Sequence, residues 1–300
     1  MRSAFPRYDE VVALIQLARQ EDLRDDDVTS RLLIPEHQAG TGLLVQKQAG
    51  VACGLPMVQM ICRVYDSRLR VETLPGSPIE LLEGRYTPDP RRLPLLRITG
   101  PLRSILSAER VVLNFLQRLS GVATQTHRYV KAIQGTGARI YDTRKTTPGW
   151  RTLEKYAVRC GGGENHRMGL YDGLLVKDNH IAAIPLPKLA EQLAQIVSTS
   201  RREAPARFIQ IEVDTLDQLR EVLKVDRLDS ILLDNMDCPT MLRAVQMRVH
   251  AGRKGQVELE ASGGITLAGI RAIAQTGVER VSVGALTHSA VALDLGLDVE

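Results

Sequence analysis

Aromatic side chains are scarce: three Phe, one Trp and seven Tyr in 300 residues. So few ring faces argue against an extended platform for stacking unpaired bases. Charge of one sign is not in large excess either. The 39 Lys and Arg stand against 35 Asp and Glu, a formal net charge of +4, too small to imply a nucleic-acid partner by itself. The four cysteines, Cys53, Cys62, Cys160 and Cys238, include no CxxC pair and no Cys/His grouping at zinc spacing. They read as free thiols of a reducing compartment. No apolar run approaches the ~20 residues needed to span a membrane. The N-terminal segment, interrupted by Asp9, Glu10 and Gln16, reads as an amphipathic helix and not as a signal peptide. A cytoplasmic protein is expected. Absent too are a GxSxG elbow, a GK[ST] phosphate loop after Gly40-Thr41-Gly42, and the glycine and terminal Glu that would make residues 22–27 an EF-hand loop.

What is present begins with a mixed first hundred residues. Helical spacing over 11–19 and 51–64, strand-like runs at 42–48, 69–73 and 97–99, and a turn-rich stretch at 75–94 follow no regular cadence, which suits an α+β unit. Ser107 reads as the N-cap of a helix that stops at Gly121, with a second helix over 122–133. Val111, Val112, Phe115, Leu116 and Leu119 give the first of these a buried face.

From about residue 139 short apolar strands alternate with helical segments. Strands are expected at 138–141, 174–176, 208–211, 231–233, 257–259 and 281–283, with helices at 187–198, 216–223, 240–249 and 267–275. Such alternation argues for a parallel sheet. Six strands are fewer than the eight of a closed (β/α)8 barrel, and an open doubly wound sheet also fits the pattern. Charged or glycine residues follow every strand: Asp142 to Lys145, Lys177 to His180, Glu212, Asp234-Asn235, Glu260 to Gly264, and Gly284-Ala285. In a barrel those positions converge on one mouth, and this tips the reading toward a barrel over an open sheet.

The cations Arg144, Lys145, His166, Arg167 and Lys177 adjoin strand ends and glycines. A solvated basic rim is the plain explanation. A pocket for a small polyanion is the sharper one, because Arg presents planar bidentate donors and Lys a compact charge. Glu212 and Asp234 end apolar strands; they are either salt-bridge partners of those cations or ligands of sugar hydroxyls or a magnesium ion. Ser262-Gly263-Gly264 and Val283-Gly284-Ala285 each lead into a helical segment, where backbone N–H groups can cradle a phosphate.

These stretches together resemble one family, quinolinate phosphoribosyltransferase. The likeness runs through EDL and DVTS (21–30), GVACGL (50–55), ERVVLNFLQRLSGVAT (109–124), DTRKTTPGWRTLEKYAVRCGGGENHRMGL (142–170), KDNHI (177–181), IEVDTLDQL (211–219), LLDNM (232–236), ASGGI (261–265) and SVGALTHS (282–289). The chain departs from the family's glycine-bearing acidic motif at 21–27, and 86–93 reads as an altered turn. The resemblance implies an N-terminal α+β open sandwich over 1–110, to which the last residues can return, and an incomplete (β/α) barrel over 111–290. It implies transfer of phosphoribosyl from phosphoribosyl pyrophosphate to quinolinate with loss of CO2, Mg²⁺ as cofactor, and a homodimer, with a hexamer left open, whose active sites are shared through Arg110. Lys145, Lys177, Glu212 and Asp234 are then the expected catalytic residues. Thr143, Arg144, His166 and Arg167 join them in binding substrate, with Ser262, Gly263, Gly264, Val283, Gly284 and Ala285 around the phosphate. Glu212 and Asp234 are the expected magnesium ligands, directly or through water. A related barrel group associated with molybdenum transport, and a non-catalytic phosphate-ligand binder, are the competing readings.

Overall fold

The structure, a computed structural model, describes residues 4–74, 78–203 and 208–300; residues 75–77 of the turn-rich stretch lie outside it. Its two main sheets are built from β1 (Ala39–Gln46), β2 (Arg70–Thr73), β3 (Leu93–Pro101), β4 (Arg139–Tyr141) and β5 (Leu174–Val176). They continue with β6 (Ile209–Val213), β7 (Ser230–Asp234), β8 (Glu258–Ser262), β9 (Arg280–Ser282) and β10 (Leu295–Val299). The helices that matter below are α1 (Tyr8–Leu23), α2 (Leu55–Tyr65), α3 (Leu102–Ala132) and α4 (Arg151–Cys160). The chain falls into two compact units: Met1–His127 with Thr147–Gly162 and Leu286–Glu300, and Arg128–Thr146 with Gly163–Ala285. The chain thus passes between the units repeatedly, where the sequence reading draws a boundary at residue 110 and lets only the residues after 290 return.

The first unit holds an antiparallel sheet in the order β10-β1-β3-β2. Leu44 of β1 lies opposite Leu96 of β3 and Leu297 of β10, so apolar side chains stack across the sheet. The chain's last strand therefore forms an edge of its first sheet. Helix α3 runs unbroken through Gly121 and starts at Leu102, not at Ser107. The expected stop at Gly121 fails for a packing reason. A Cβ there would lie 2.2 Å from the Val291 carbonyl oxygen. Gly121 is thus a point of close backbone approach inside a helix, not a C-cap. The predicted apolar face of α3 is buried, with Val111, Val112, Phe115, Leu116 and Leu119 all at most 3% exposed.

Residues 147–162 are fastened to α3 by two contacts. Trp150 stacks on Phe115 with centroids 4.5 Å apart. Glu154, fully buried, accepts from Arg118 (2.6 Å) and from the Thr147 N–H (3.0 Å) and hydroxyl (2.9 Å). Arg118 also donates to the carbonyls of Ala290 and Thr287.

The second unit is a six-stranded parallel sheet ordered β4-β9-β8-β7-β6-β5. Its first and second strands in sequence occupy opposite edges, which is the order of a barrel left open between them. Strand residues alternate in character with the pleat. Ile209, Ile211, Val213, Ile231, Leu233, Leu259, Ala261 and Val281 are apolar and buried. At the intervening positions stand Gln210, Glu212, Ser230, Asp234, Glu258, Glu260, Ser262, Arg280 and Ser282, with Leu232 as the apolar exception. One face of the sheet is therefore apolar and the other carries the chemistry.

Gly121→Ala should destabilise the fold by about 1–3 kcal/mol, the usual cost of overpacking, although Ala is the better helix former. Gly137→Ala, with nothing within 4 Å of the added Cβ, should stay within about 0.5 kcal/mol of the parent. Denaturant melts of both variants check this, and equal stabilities would sink the packing account of Gly121.

Candidate active site

The polar face of the parallel sheet opens into a cavity of about 430 Å³. Its walls include Thr143, Arg144, Lys145, His166, Arg167, Lys177, Glu212, Asp234, Ser262, Gly263 and Gly264, so eleven expected site residues are brought together from strand ends far apart in sequence. Val283, Gly284 and Ala285 are not part of the lining, and the Val283 N–H is committed to the Tyr141 carbonyl (2.9 Å). Arg110 is an exposed residue of α3 in the first unit. The lining also includes Leu175, Leu232, Asn235, Glu260 and Ser282; the sequence reading named Asn235 and Glu260 as residues following strands but assigned none of the five to the site.

The cationic side is built from loops tied down by their own backbone. Asp142, fully buried after β4, accepts from the His166 N–H (2.8 Å) and the Asn165 amide (2.7 Å). Glu164 pairs with the open edge of β4, its N–H reaching the Ile140 carbonyl at 2.7 Å. These bonds set His166 and Arg167 at the mouth. Arg167 donates to the Gly173 carbonyl (3.0 Å), while the Met168 N–H donates to Asp172 (2.8 Å), closing the 167–173 loop on itself. Burial, then the charge of nearby Arg144, pulls the Arg167 guanidinium below its ordinary value. Two like charges held together in this way favour an anion between them.

The floor is a buried polar network. His166 Nδ1 accepts from the Arg167 N–H at 2.8 Å, so the ring proton sits on Nε2, which donates to Gln210 Oε1 at 2.8 Å. Gln210 in turn donates to Ser230 (3.0 Å) and to Glu260 (2.9 Å). Glu260 pairs with Arg280 at 2.6 Å, and the Arg280 guanidinium lies 3.7 Å from the Tyr141 ring centroid. Burial pulls Arg280 down, but Glu260 beside it more than compensates and leaves it above its ordinary value. The second oxygen of Glu260 has no hydrogen-bond partner; it lies 3.6 Å from His166 Nε2.

The acidic side faces the same cavity. Lys177 Nζ lies 3.2 Å from Glu212. Burial raises the Glu212 carboxyl above its usual range; Lys177 opposes this, and Asp234 and Asp178 add to it. Asp214 is raised as well, by burial and then by Asp178 and Asp234. Several carboxylates thus crowd one wall, an arrangement that welcomes a hard divalent cation with oxygen ligands.

Beyond Asp234, Asn235 takes a left-handed conformation (φ 52°) that Asn tolerates better than most residues. Its amide donates to Asp234 at 2.7 Å. Gly263 also has positive φ (94°), and a Cβ there would lie 2.0 Å from the Asn235 side-chain oxygen. Only glycine fits.

Glu212→Gln should give a stability gain that grows with pH. Below the ordinary glutamate range the carboxyl is protonated in both folded and unfolded states and exacts no penalty. As pH rises from that range to the raised folded value, the unfolded chain gives up the proton that the buried native carboxyl still holds, so stability falls. Glutamine has no such group, so the melting-temperature difference should widen between pH 4 and pH 8. A difference independent of pH would overturn this reading.

Family models of the quinolinate phosphoribosyl transferase N-terminal and C-terminal domains match residues 27–120 and 122–298. The chain is 39% identical to the carboxylating nicotinate-nucleotide pyrophosphorylase of Mycobacterium leprae, covering 97% of this chain and 98% of that one. It is 37% identical to a probable enzyme of the same name from Bacillus subtilis, over 93% and 90%. Among solved structures, NadC from Streptococcus pyogenes superposes with a TM-score of 0.88 at 32% identity, covering 99% of both chains. The nicotinate-nucleotide pyrophosphorylase from Francisella tularensis does so with 0.85 at 34% identity, over 98% of both. With both domain models matched and relatives of such identity along nearly its whole length, the chain belongs to the quinolinate phosphoribosyltransferase family.

Proposed function

We propose that this protein transfers the 5-phosphoribosyl group of phosphoribosyl pyrophosphate to quinolinate with decarboxylation, giving nicotinate mononucleotide, pyrophosphate and CO2 for NAD biosynthesis. The observation that carries the proposal is the division of one cavity into a cationic wall and an acidic wall, with a glycine turn at the rim. Quinolinate is a planar dicarboxylate, and Arg144, Arg167 and Lys177 are suited to grip its two carboxylates, with the His166 ring lining the same wall. Glu212 and Asp234 suit the ribose hydroxyls. The turn at Ser262, Gly263 and Gly264 suits the 5′-phosphate, and the resemblance adds Val283, Gly284 and Ala285 to that group. Lys145 is assigned to the pyrophosphate or a carboxylate.

The crowded carboxylates around Glu212 and Asp234 fit Mg²⁺, and these two residues would hold it. Bound there, the ion would offset the charge of the pyrophosphate leaving group. The protein's own contribution is positioning and charge. Holding the pyridine nitrogen in line with the ribose anomeric carbon makes the displacement effectively unimolecular. As pyrophosphate leaves, positive charge grows on the ribose, and the Glu212 and Asp234 side chains are placed to stabilise it. The new N–C bond makes the pyridine nitrogen cationic. That nitrogen accepts the electron pair released when the adjacent carboxylate departs as CO2, and a proton takes the vacated ring position. The family reading also assigns a homodimer in which Arg110 of a second copy completes the quinolinate grip; the four thiols, read as those of a reducing compartment, favour a cytoplasmic location. Among the described residues no helix is long and apolar enough to cross a membrane.

Purified protein given quinolinate, phosphoribosyl pyrophosphate and Mg²⁺ should release nicotinate mononucleotide and CO2 in equal amounts. A folded protein that binds phosphoribosyl pyrophosphate yet forms neither product would overturn the proposal in favour of another acceptor or a binding role. Arg167→Ala and Lys177→Ala should each lower kcat/KM by about 10²–10³ while the cooperative melt survives. Parallel loss of activity and melt would reassign those side chains to structure.

A further inference from the structure

Two of the four cysteines meet in the first unit. Cys53, just before α2, and Cys160, the last residue of α4, bring their sulfurs together with a carboxylate oxygen of Glu83, all within 4.8 Å of one another. Cys53 is fully buried, Glu83 is 6% exposed, and Cys160 is partly open to solvent. None of the three lines the substrate cavity.

We propose that Cys53, Cys160 and Glu83 form a binding site for a thiophilic divalent cation of the zinc class, held on two sulfurs and one carboxylate oxygen. Two thiolates and a carboxylate are a donor set that favours zinc over magnesium or calcium. The spacing fits. Cys160 Sγ lies 3.8 Å from Glu83 Oε1, and tetrahedral zinc with ordinary bond lengths sets a sulfur and an oxygen about 3.5 Å apart. In the metal-free protein a thiol proton bridges that gap. A cation would replace the proton, and both thiols would release their protons to solvent.

The carboxylate is already aimed. Glu83 accepts from the N–H groups of Gly54 (2.6 Å) and Leu55 (2.9 Å) and from the Tyr156 hydroxyl (2.9 Å). Such outer hydrogen bonds fix the orientation of a metal-binding carboxylate. Gly54 is the N-cap of the eleven-residue α2, so the helix dipole also favours the net negative charge of a cation bound by three anions. Without a cation the site is hostile to charge. Burial first, then Cys160 and Glu83, pushes the Cys53 thiol well up, and burial raises Glu83. Partly exposed Cys160 is the point of entry.

The test is a titration of the reduced, full-length protein with Cd²⁺, read by ultraviolet thiolate-to-metal absorption, with Zn²⁺ as competitor. The wild type should bind one Cd²⁺ with a two-thiolate signal that Zn²⁺ displaces. Cys160→Ala and Cys53→Ala should each lose it. Cys62→Ala and Cys238→Ala should keep it. Tyr156→Phe should weaken binding by about 10- to 100-fold, as loss of an outer partner does. No signal in the wild type, a signal that survives Cys160→Ala, or a Cys53–Cys160 disulfide that resists mild reduction would overturn the proposal. The wild-type titration decides the matter even where a variant fails to fold.

Discussion

A carboxylate in the middle of a parallel sheet constrains everything around this protein's cavity. Glu260 is fully buried, and a charge so placed is tolerated only when it is paired and hydrogen-bonded. Arg280, directly across from it in the register of β8 and β9, supplies the opposite charge. Gln210, two strands away, spends its amide on the same carboxylate and its carbonyl on His166. A buried charge pair within the sheet therefore also sets, through Gln210, the tautomer and direction of a cavity histidine. The ring of Tyr141 under Arg280 extends the same network to β4. The floor is rigid because loss of any one partner would strand another in a dry interior.

The cavity walls inherit their order from that floor. Strand pleating puts Glu212, Asp234 and Ser262 on the same face as the network, two to four residues farther along their strands, and Lys177 directly follows β5. The loops that follow are fixed by their own bonds. Asp142 holds 165–166, and Gly263 nests against Asn235. Cations stand on one side and acids on the other, joined by the Lys177–Glu212 pair. A substrate carrying both carboxylates and phosphates meets groups already oriented, which is how preorganised charge lowers a barrier. In the first unit, Glu154 plays a comparable part for Arg118 and Thr147.

Much of this was legible in the chain. The six parallel strands fall within one to three residues of their expected positions, because continuous apolar runs bounded by turns mark buried strands. Eleven of the expected site residues line the cavity, because strand-end residues of such a sheet converge. Gln210 was passed over, and Glu260 was read only as a residue that follows a strand, for a definite reason. The reading looked beyond the strands for polar residues, whereas these lie inside them at alternate positions; the period-2 pattern of Glu258, Glu260 and Ser262 was the available signal. Asn235 was visible only as a residue after a strand, and its left-handed backbone was the clue.

Sequence by itself determined the local order: which segments are strands, which face of α3 is apolar, and which ionic residues follow each strand. These depend on neighbours within a few residues, where periodicity and turn chemistry act. Tertiary structure alone decided that α3 runs on through Gly121, because the obstacle to a side chain there is the backbone of Val291. It alone paired Glu260 with Arg280 and gathered Cys53, Glu83 and Cys160 into one cluster. Such contacts join residues distant along the chain, and their energies come from burial and charge pairing in a shared interior that no local pattern encodes.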